Sequence, residues 1–152
     1  MAGGTEIVLA CDLVVASTTA RFGLPEVKRS LVANAGGLFR LPRALPRNVA
    51  MELALTGDDL DADSAFRHGL VNRLVQPGEA LGVAMELADA INANAPLAVR
   101  ASRKVVLAAH LLEDEEAFQM AADATRDVVG TEDFREGPRA FVEKRAPRWT
   151  GR

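Results

Sequence analysis

The spacing of apolar positions changes near Pro77. Beyond it, Leu81, Ala84, Leu87, Ala88 and Ile91 recur at helical intervals. So do Val99, Val106 and Ala109, and then Phe118, Ala121, Ala122, Thr125 and Val128. This pattern predicts three consecutive helices, broken at residues 94–96 and near 112–114. A final helix is expected from about Pro138 to Arg145. Before Pro77 the apolar runs are short and alternate with turn residues. A short helix is expected over 3–11, with Gly3 as its N-cap and Glu6 in its first turn. Residues 13–16 suit a buried strand, and 21–26 an extended segment because Pro25 disfavours helix at Leu24. Residues 34–37 read as a loop and 38–41 as a helix stopped at Pro42. A helix over 49–55 should end at Gly57. Asp61 can cap another helix running to Phe66, and 71–75 is a strand candidate. The expected organisation is mixed α/β over 1–76 and helical over 77–152.

With 152 residues, 49% of them hydrophobic, the chain has material for a core. Its net charge of -3, from 18 basic and 21 acidic residues, gives no nucleic-acid footprint. No apolar run approaches the ~20 residues of a membrane-spanning helix, so no membrane partner is expected. The one cysteine, Cys11, cannot form an internal disulfide and fits a reducing, cytoplasmic setting. It reads as a small core residue.

Two stretches carry candidate chemistry. Ala2-Gly3-Gly4-Thr5-Glu6 places glycines at a helix start, where backbone N–H groups and the helix dipole favour negative charge. Such a turn can hold an oxyanion developing on a thioester carbonyl, although the same pattern is also an ordinary helix start. Phe22-Gly23-Leu24-Pro25-Glu26 places a second acid in a loop between apolar segments. Alone, it is what a solvated loop glutamate looks like. Two carboxylates brought together in different environments could divide general acid and general base work. His68 and His110 both fall near helix ends, where a histidine suits the dipole. Residues 113–116 read as an acidic helix start. No set of His, Cys and Asp has metal-ligand spacing.

In order along the chain, these stretches and those that follow resemble the enoyl-CoA hydratase/isomerase (crotonase) family. The resemblance rests on Ala2-Gly3-Gly4-Thr5-Glu6 with Leu9-Ala10-Cys11-Asp12-Leu13, on Phe22 to Glu26, and on residues 35–43. It continues through Leu55-Thr56-Gly57-Asp58, then Ala65 with Gly69-Leu70-Val71-Asn72, and ends on residues 135–145. It implies the C-terminal part of a spiral of ββα turns, followed by a helical trimerisation region. The implied partner is an acyl-CoA thioester, with coenzyme A as part of the substrate and no separate cofactor or metal. The implied assembly is a homotrimer or hexamer. Gly3 would supply an oxyanion N–H, with Gly4 beside it. Glu6 would be the base that activates water, and Glu26 the acid that protonates the α-carbon. Asn34 would help place the water through its N–H, standing with Ala33 where hydratases often have Pro-Gly. Phe141 and Lys144 fall where family members contact coenzyme A. The family's preceding strands and its other oxyanion N–H are expected to lie outside this chain.

Having both acids favours hydration of a 2-trans-enoyl-CoA to a 3-hydroxyacyl-CoA. Enoyl-CoA isomerisation, or another reaction of the family, is the near alternative. A non-catalytic module that binds coenzyme A or supports assembly is the distant one.

Overall fold

The computed structural model describes residues 1–152. The chain forms two compact units, Met1–Glu86 and Leu87–Arg152. All four strands precede Pro77, and the only regular structure after it is helical. The change of pattern at Pro77 comes before the division between units, which falls inside a helix, Ala80–Asn92.

The first unit opens with α1 (Gly3–Ala10), β1 (Val15–Ser17) and β2 (Arg21–Gly23). A 3-10 turn over Pro25–Arg29 follows, then α2 (Gly37–Ala44) and α3 (Arg47–Thr56). The unit continues with β3 (Asp59–Asp61), α4 (Ala62–Arg67) and β4 (Arg73–Val75). β1 and β4 run parallel, with Val15 opposite Arg73 and Ser17 opposite Val75. Asn72 extends this pairing: its side-chain oxygen accepts the Val14 N–H at 2.7 Å, and its own N–H reaches the Val14 carbonyl at 2.8 Å. β2 and β3 run antiparallel, with Phe22 opposite Leu60. Phe22, Leu24, Leu41, Leu45, Leu53 and Val71 are buried in one cluster. Full burial of one such side chain contributes about 1.5–3 kcal/mol.

Several local expectations are corrected. Pro42 lies inside α2 and does not stop it. Proline removes one N–H bond, here the one that would reach the carbonyl of the exposed Leu38. Buried Leu41 and Leu45 flank Pro42 and hold the turn in place. β3 has the acidic, turn-like sequence Asp-Leu-Asp, which by itself argues against a strand. It is extended because β2 pairs with it, and Asp61 then caps α4 by accepting the Ser64 N–H at 2.7 Å. Cys11 is exposed rather than in the core. It follows the last residue of α1, and its thiol donates to the Ile7 carbonyl at 3.4 Å.

The second unit contains the end of α5 (Ala80–Asn92), α6 (Pro96–Ala108), α7 (Asp114–Val129) and α8 (Glu132–Val142). The acidic run 113–116 does start a helix: Glu113 and Glu116 form a reciprocal capping box at the head of α7. The last helix starts at Glu132, earlier than Pro138. Thr131 caps it by accepting the Phe134 N–H at 3.1 Å, and Pro138 is tolerated inside it. Two carboxylates on α8 tie down the C-terminal segment. Buried Asp133 accepts the N–H groups of Thr150 at 2.6 Å and Gly151 at 3.0 Å. Glu136 accepts the Arg148 N–H at 2.8 Å and both ends of the Arg145 guanidinium. The Trp149 indole N–H donates to the Ala93 carbonyl at 2.8 Å.

Arg145 holds the Glu136 carboxyl down at about 2, and the Thr150 N–H holds Asp133 below the ordinary carboxylate range. A lowered native value gives stability that is complete above the ordinary glutamate value of 4.5 and is lost as pH falls through about 2. The emission of Trp149, the only tryptophan, should therefore hold from neutrality to 4.5 and shift as pH falls toward about 2. Glu136→Gln, which has no carboxyl to protonate, should show part of that shift already at neutrality and a smaller change on acidification. An identical acid titration in wild type and variant would show that the ion pair does not hold the tail.

Candidate active site

The start of α1 is built on backbone geometry that only a few residues accept. Ala2 sits at φ 53, ψ -130, outside the regions favoured by residues with a side chain. Two contacts hold it there with its neighbours. The Ala2 N–H donates to the Gly23 carbonyl at 2.8 Å, and the Gly23 N–H donates to the buried Thr5 hydroxyl at 3.0 Å. Ala2, not Gly3, is therefore the N-cap, and Gly3 is the first helical residue. The N–H groups of Thr5 and Glu6 reach the Ala2 carbonyl at 2.8 and 3.1 Å, and that of Gly4 reaches Met1 at 3.2 Å. The N–H of exposed Gly3 is left without an acceptor. Gly4 is also exposed, on the same turn.

Glu6 points inward from this turn and is only 6% exposed. Its Oε1 accepts the Gly37 N–H at 3.0 Å. Gly37 is the first residue of α2, so the carboxylate meets the positive end of that helix. No larger residue fits there without displacement: a Cβ on Gly37 would stand 3.0 Å from both Glu6 Oε1 and Leu24 Cδ1. Gly37 thus has both Glu6 and Leu24, two residues before Glu26, as close neighbours.

Glu26 lies in the 3-10 turn and is half-buried. Its Oε2 is shielded from solvent and has no hydrogen-bond partner. An unsatisfied buried carboxylate oxygen is costly, and one in a native fold asks for a functional explanation. The stitch at Gly23 ties the segment leading to Glu26 to the turn that carries Gly3 and Glu6.

Asn34 is exposed in the turn ahead of α2, with a φ outside the left-handed region and an N–H that takes no acceptor. The guanidinium of Arg40 braces this turn by donating to the Ala35 carbonyl at 3.2 Å, and it lies 4.8 Å over the Phe39 ring. Phe141 and Lys144 belong to the second unit, at the end of α8, and both are exposed. His68 and His110 are exposed at the ends of their helices. A groove of about 410 Å³ between α6 and α7 is lined by residues such as Ala101, Val105, Ala121 and Val128. No titratable side chain lines it, so it offers nothing for acid–base work.

Sequence reasoning missed Thr5 and Gly37. Thr5 reads as an ordinary helix residue, and nothing in the pattern shows that its hydroxyl accepts from a strand residue 18 positions away. Gly37 reads as loop. The signal available was a glycine pair directly before an apolar helix, which opens backbone N–H groups to an anion.

A family model described as enoyl-CoA hydratase/isomerase matches residues 1–152. The chain is 43% identical over 152 residues to enoyl-CoA hydratase EchA19 of Mycobacterium tuberculosis, covering 100% of this chain and 57% of that protein. It is 40% identical over 154 residues to carnitinyl-CoA dehydratase of Proteus mirabilis, covering 99% and 59%. The chain thus spans less than two thirds of the length of these relatives. The crystal structure of an enoyl-CoA hydratase from Mycobacterium tuberculosis H37Rv superposes with a TM-score of 0.97 at 49% identity, covering 99% of this chain and 60% of that one. A probable enoyl-CoA hydratase/isomerase from Mycobacterium abscessus superposes at 0.95 with 53% identity, with the same coverage.

Substitution of two glycines should have opposite effects. Gly37→Ala forces a methyl against Glu6 and Leu24 and should destabilise the fold by about 1–3 kcal/mol. Gly4→Ala meets nothing within 4 Å and lies in a helix, where alanine is favoured by up to about 1 kcal/mol. Urea unfolding of both variants measures this. Equal effects would mean that the contact of Gly37 with Glu6 is not tight.

Proposed function

The chain belongs to the enoyl-CoA hydratase/isomerase family and has its crotonase fold, and from that premise we propose that the protein carrying it is an enoyl-CoA hydratase. It adds water across the double bond of a 2-trans-enoyl-CoA to give a 3-hydroxyacyl-CoA. The observation that carries this reading is the pair of unlike carboxylates on segments joined at Gly23. Glu6 has one oxygen fixed by Gly37, and Glu26 has a buried oxygen that no protein group claims.

The free Oε2 of Glu6 takes a proton from water as the water oxygen bonds to the β-carbon. The π electrons move toward the thioester carbonyl, whose developing negative charge meets the unclaimed N–H of Gly3. Gly4, exposed on the same turn, carries no side chain. Glu26, in its protonated form, delivers a proton to the α-carbon as the enolate collapses. Asn34 offers an unclaimed N–H to the water. Phe141 and Lys144 contact coenzyme A, which enters as part of the substrate with no further cofactor or metal. A homotrimer or hexamer is part of the same proposal. It is supported by α5, α6 and α7, none of which buries a residue, and which leave Leu81, Met85, Val106 and Phe118 exposed.

The dehydratase name of the Proteus relative favours a second reading, in which the net flow is loss of water. The same two acids serve it with their roles reversed, because a reaction and its reverse share one transition state.

In the complete protein, Glu6→Gln and Glu26→Gln should each lower turnover on the order of 10²-fold or more. Loss of enone absorbance from a short enoyl-CoA measures this. Turnover near the parent value in either variant would remove that residue from the mechanism.

A further inference from the structure

The turn that ends α8 has two unusual features. Lys144 lies in the left-handed region, at φ 52, where a residue with a side chain is disfavoured. It is also the one cation between residues 139 and 145 that makes no ion pair. Arg139 Nε binds Glu143 Oε1 at 2.9 Å, and Arg145 Nε binds Glu143 Oε2 at 2.6 Å. The fork of Arg145 engages Glu136, Nη1 to Oε1 at 2.5 Å and Nη2 to Oε2 at 3.0 Å. Glu136 is a firm anchor, with its side chain only 17% exposed and the Arg148 N–H as a further donor. The backbone closes around the strained residue: the Lys144 N–H reaches the Phe141 carbonyl at 3.2 Å, and the Arg145 N–H reaches Ala140 at 3.1 Å. Phe141 leaves the same turn 85% exposed.

If Lys144 relaxed to a right-handed conformation, the chain direction after it would change and Arg145 would swing away from Glu136. The ion pair therefore opposes the strain. We propose that the Glu136–Arg145 pair is a positioning element that holds Phe141 and Lys144 in one turn as a recognition corner for coenzyme A. This inference rests on the reading of Phe141 and Lys144 given above. An aromatic face suits a base such as adenine, and an unpaired ammonium suits a phosphate. Neither partner of the ion pair touches the ligand. A lysine cannot reproduce the two-pronged bond of Arg145.

Titration calorimetry of the complete protein with coenzyme A tests this, using Phe141→Ala, Lys144→Ala, Arg145→Lys, Glu136→Gln and the double variant Lys144→Ala/Arg145→Lys. Arg145→Lys and Glu136→Gln should each raise Kd about five-fold or more, the scale of coupling between residues in contact. KM for an enoyl-CoA should rise with them while kcat at saturation is unchanged. In the Lys144→Ala background, Arg145→Lys should add less than it does in the parent, because only Phe141 is left to position. Arg145→Lys keeps the charge and most of the volume, so it carries the result if Glu136→Gln does not fold. If Lys144→Ala weakens binding while Arg145→Lys binds like the parent, the positioning inference fails and the reading of the corner stands. Full additivity in the double variant would also overturn it. If neither Phe141→Ala nor Lys144→Ala changes Kd, the reading of the corner fails and the inference falls with it.

Discussion

Gly23 is the point on which the first unit depends. Its carbonyl receives the Ala2 N–H and its own N–H goes to the Thr5 hydroxyl, while as a β2 residue it faces Asp59 of β3. β3 comes so close that a Cβ on Gly23 would stand 3.1 Å from the Asp58 carbonyl. A side chain there would have to shift the Asp58–Asp59 stretch by a few tenths of an ångström. Without the stitch, Ala2 has no reason to keep its strained dihedrals, and the first turn of α1 loses its cap. The two acidic segments would then no longer be joined.

The acids are held in different ways, and the difference is physical. Burying a carboxylate away from water is expensive unless its oxygens find donors. Glu6 meets this requirement with a helix-terminal N–H, where the dipole of α2 also favours its charge. Glu26 leaves one buried oxygen without a donor in the protein. Two carboxyls in unlike surroundings are what a division of acid and base roles requires. The Thr5 hydroxyl contributes by joining their supports, and it takes no part in the proposed proton transfers.

Much of the architecture was readable from spacing and caps. Helical periodicity gave α5, α6 and α7, the glycine at 57 ended α3, and Asp61 capped α4. These are local signals, carried by residues a few positions apart. The failures came where tertiary contacts outweighed local preference. Pro42 and Pro138 sit inside helices, the first beside leucines held in the core and the second beside buried Ala140. β3 exists only through its partner strand. In the candidate site, Gly3, Glu6 and Glu26 could be singled out from motif and charge. The Gly37 donor, the Thr5 acceptor and the Glu136–Arg145 fork could not, because each is a contact between residues far apart in sequence or hidden in an unremarkable pattern.

The sequence separations of these contacts also set how much chain entropy each closure costs. The stitch from Gly23 to Thr5 spans 18 residues, and the bond from Gly37 to Glu6 spans 31. The parallel pairing of β1 with β4 brings Val14 to Asn72 across 58. Loop-closure entropy rises by only about 0.6 kcal/mol per doubling of length, so the long pairing costs about 1 kcal/mol more to close than the stitch. A chain searching for its fold meets the shorter closures first. The candidate chemistry thus rests on the shorter closures, and the parallel pair is the costliest of the three to close.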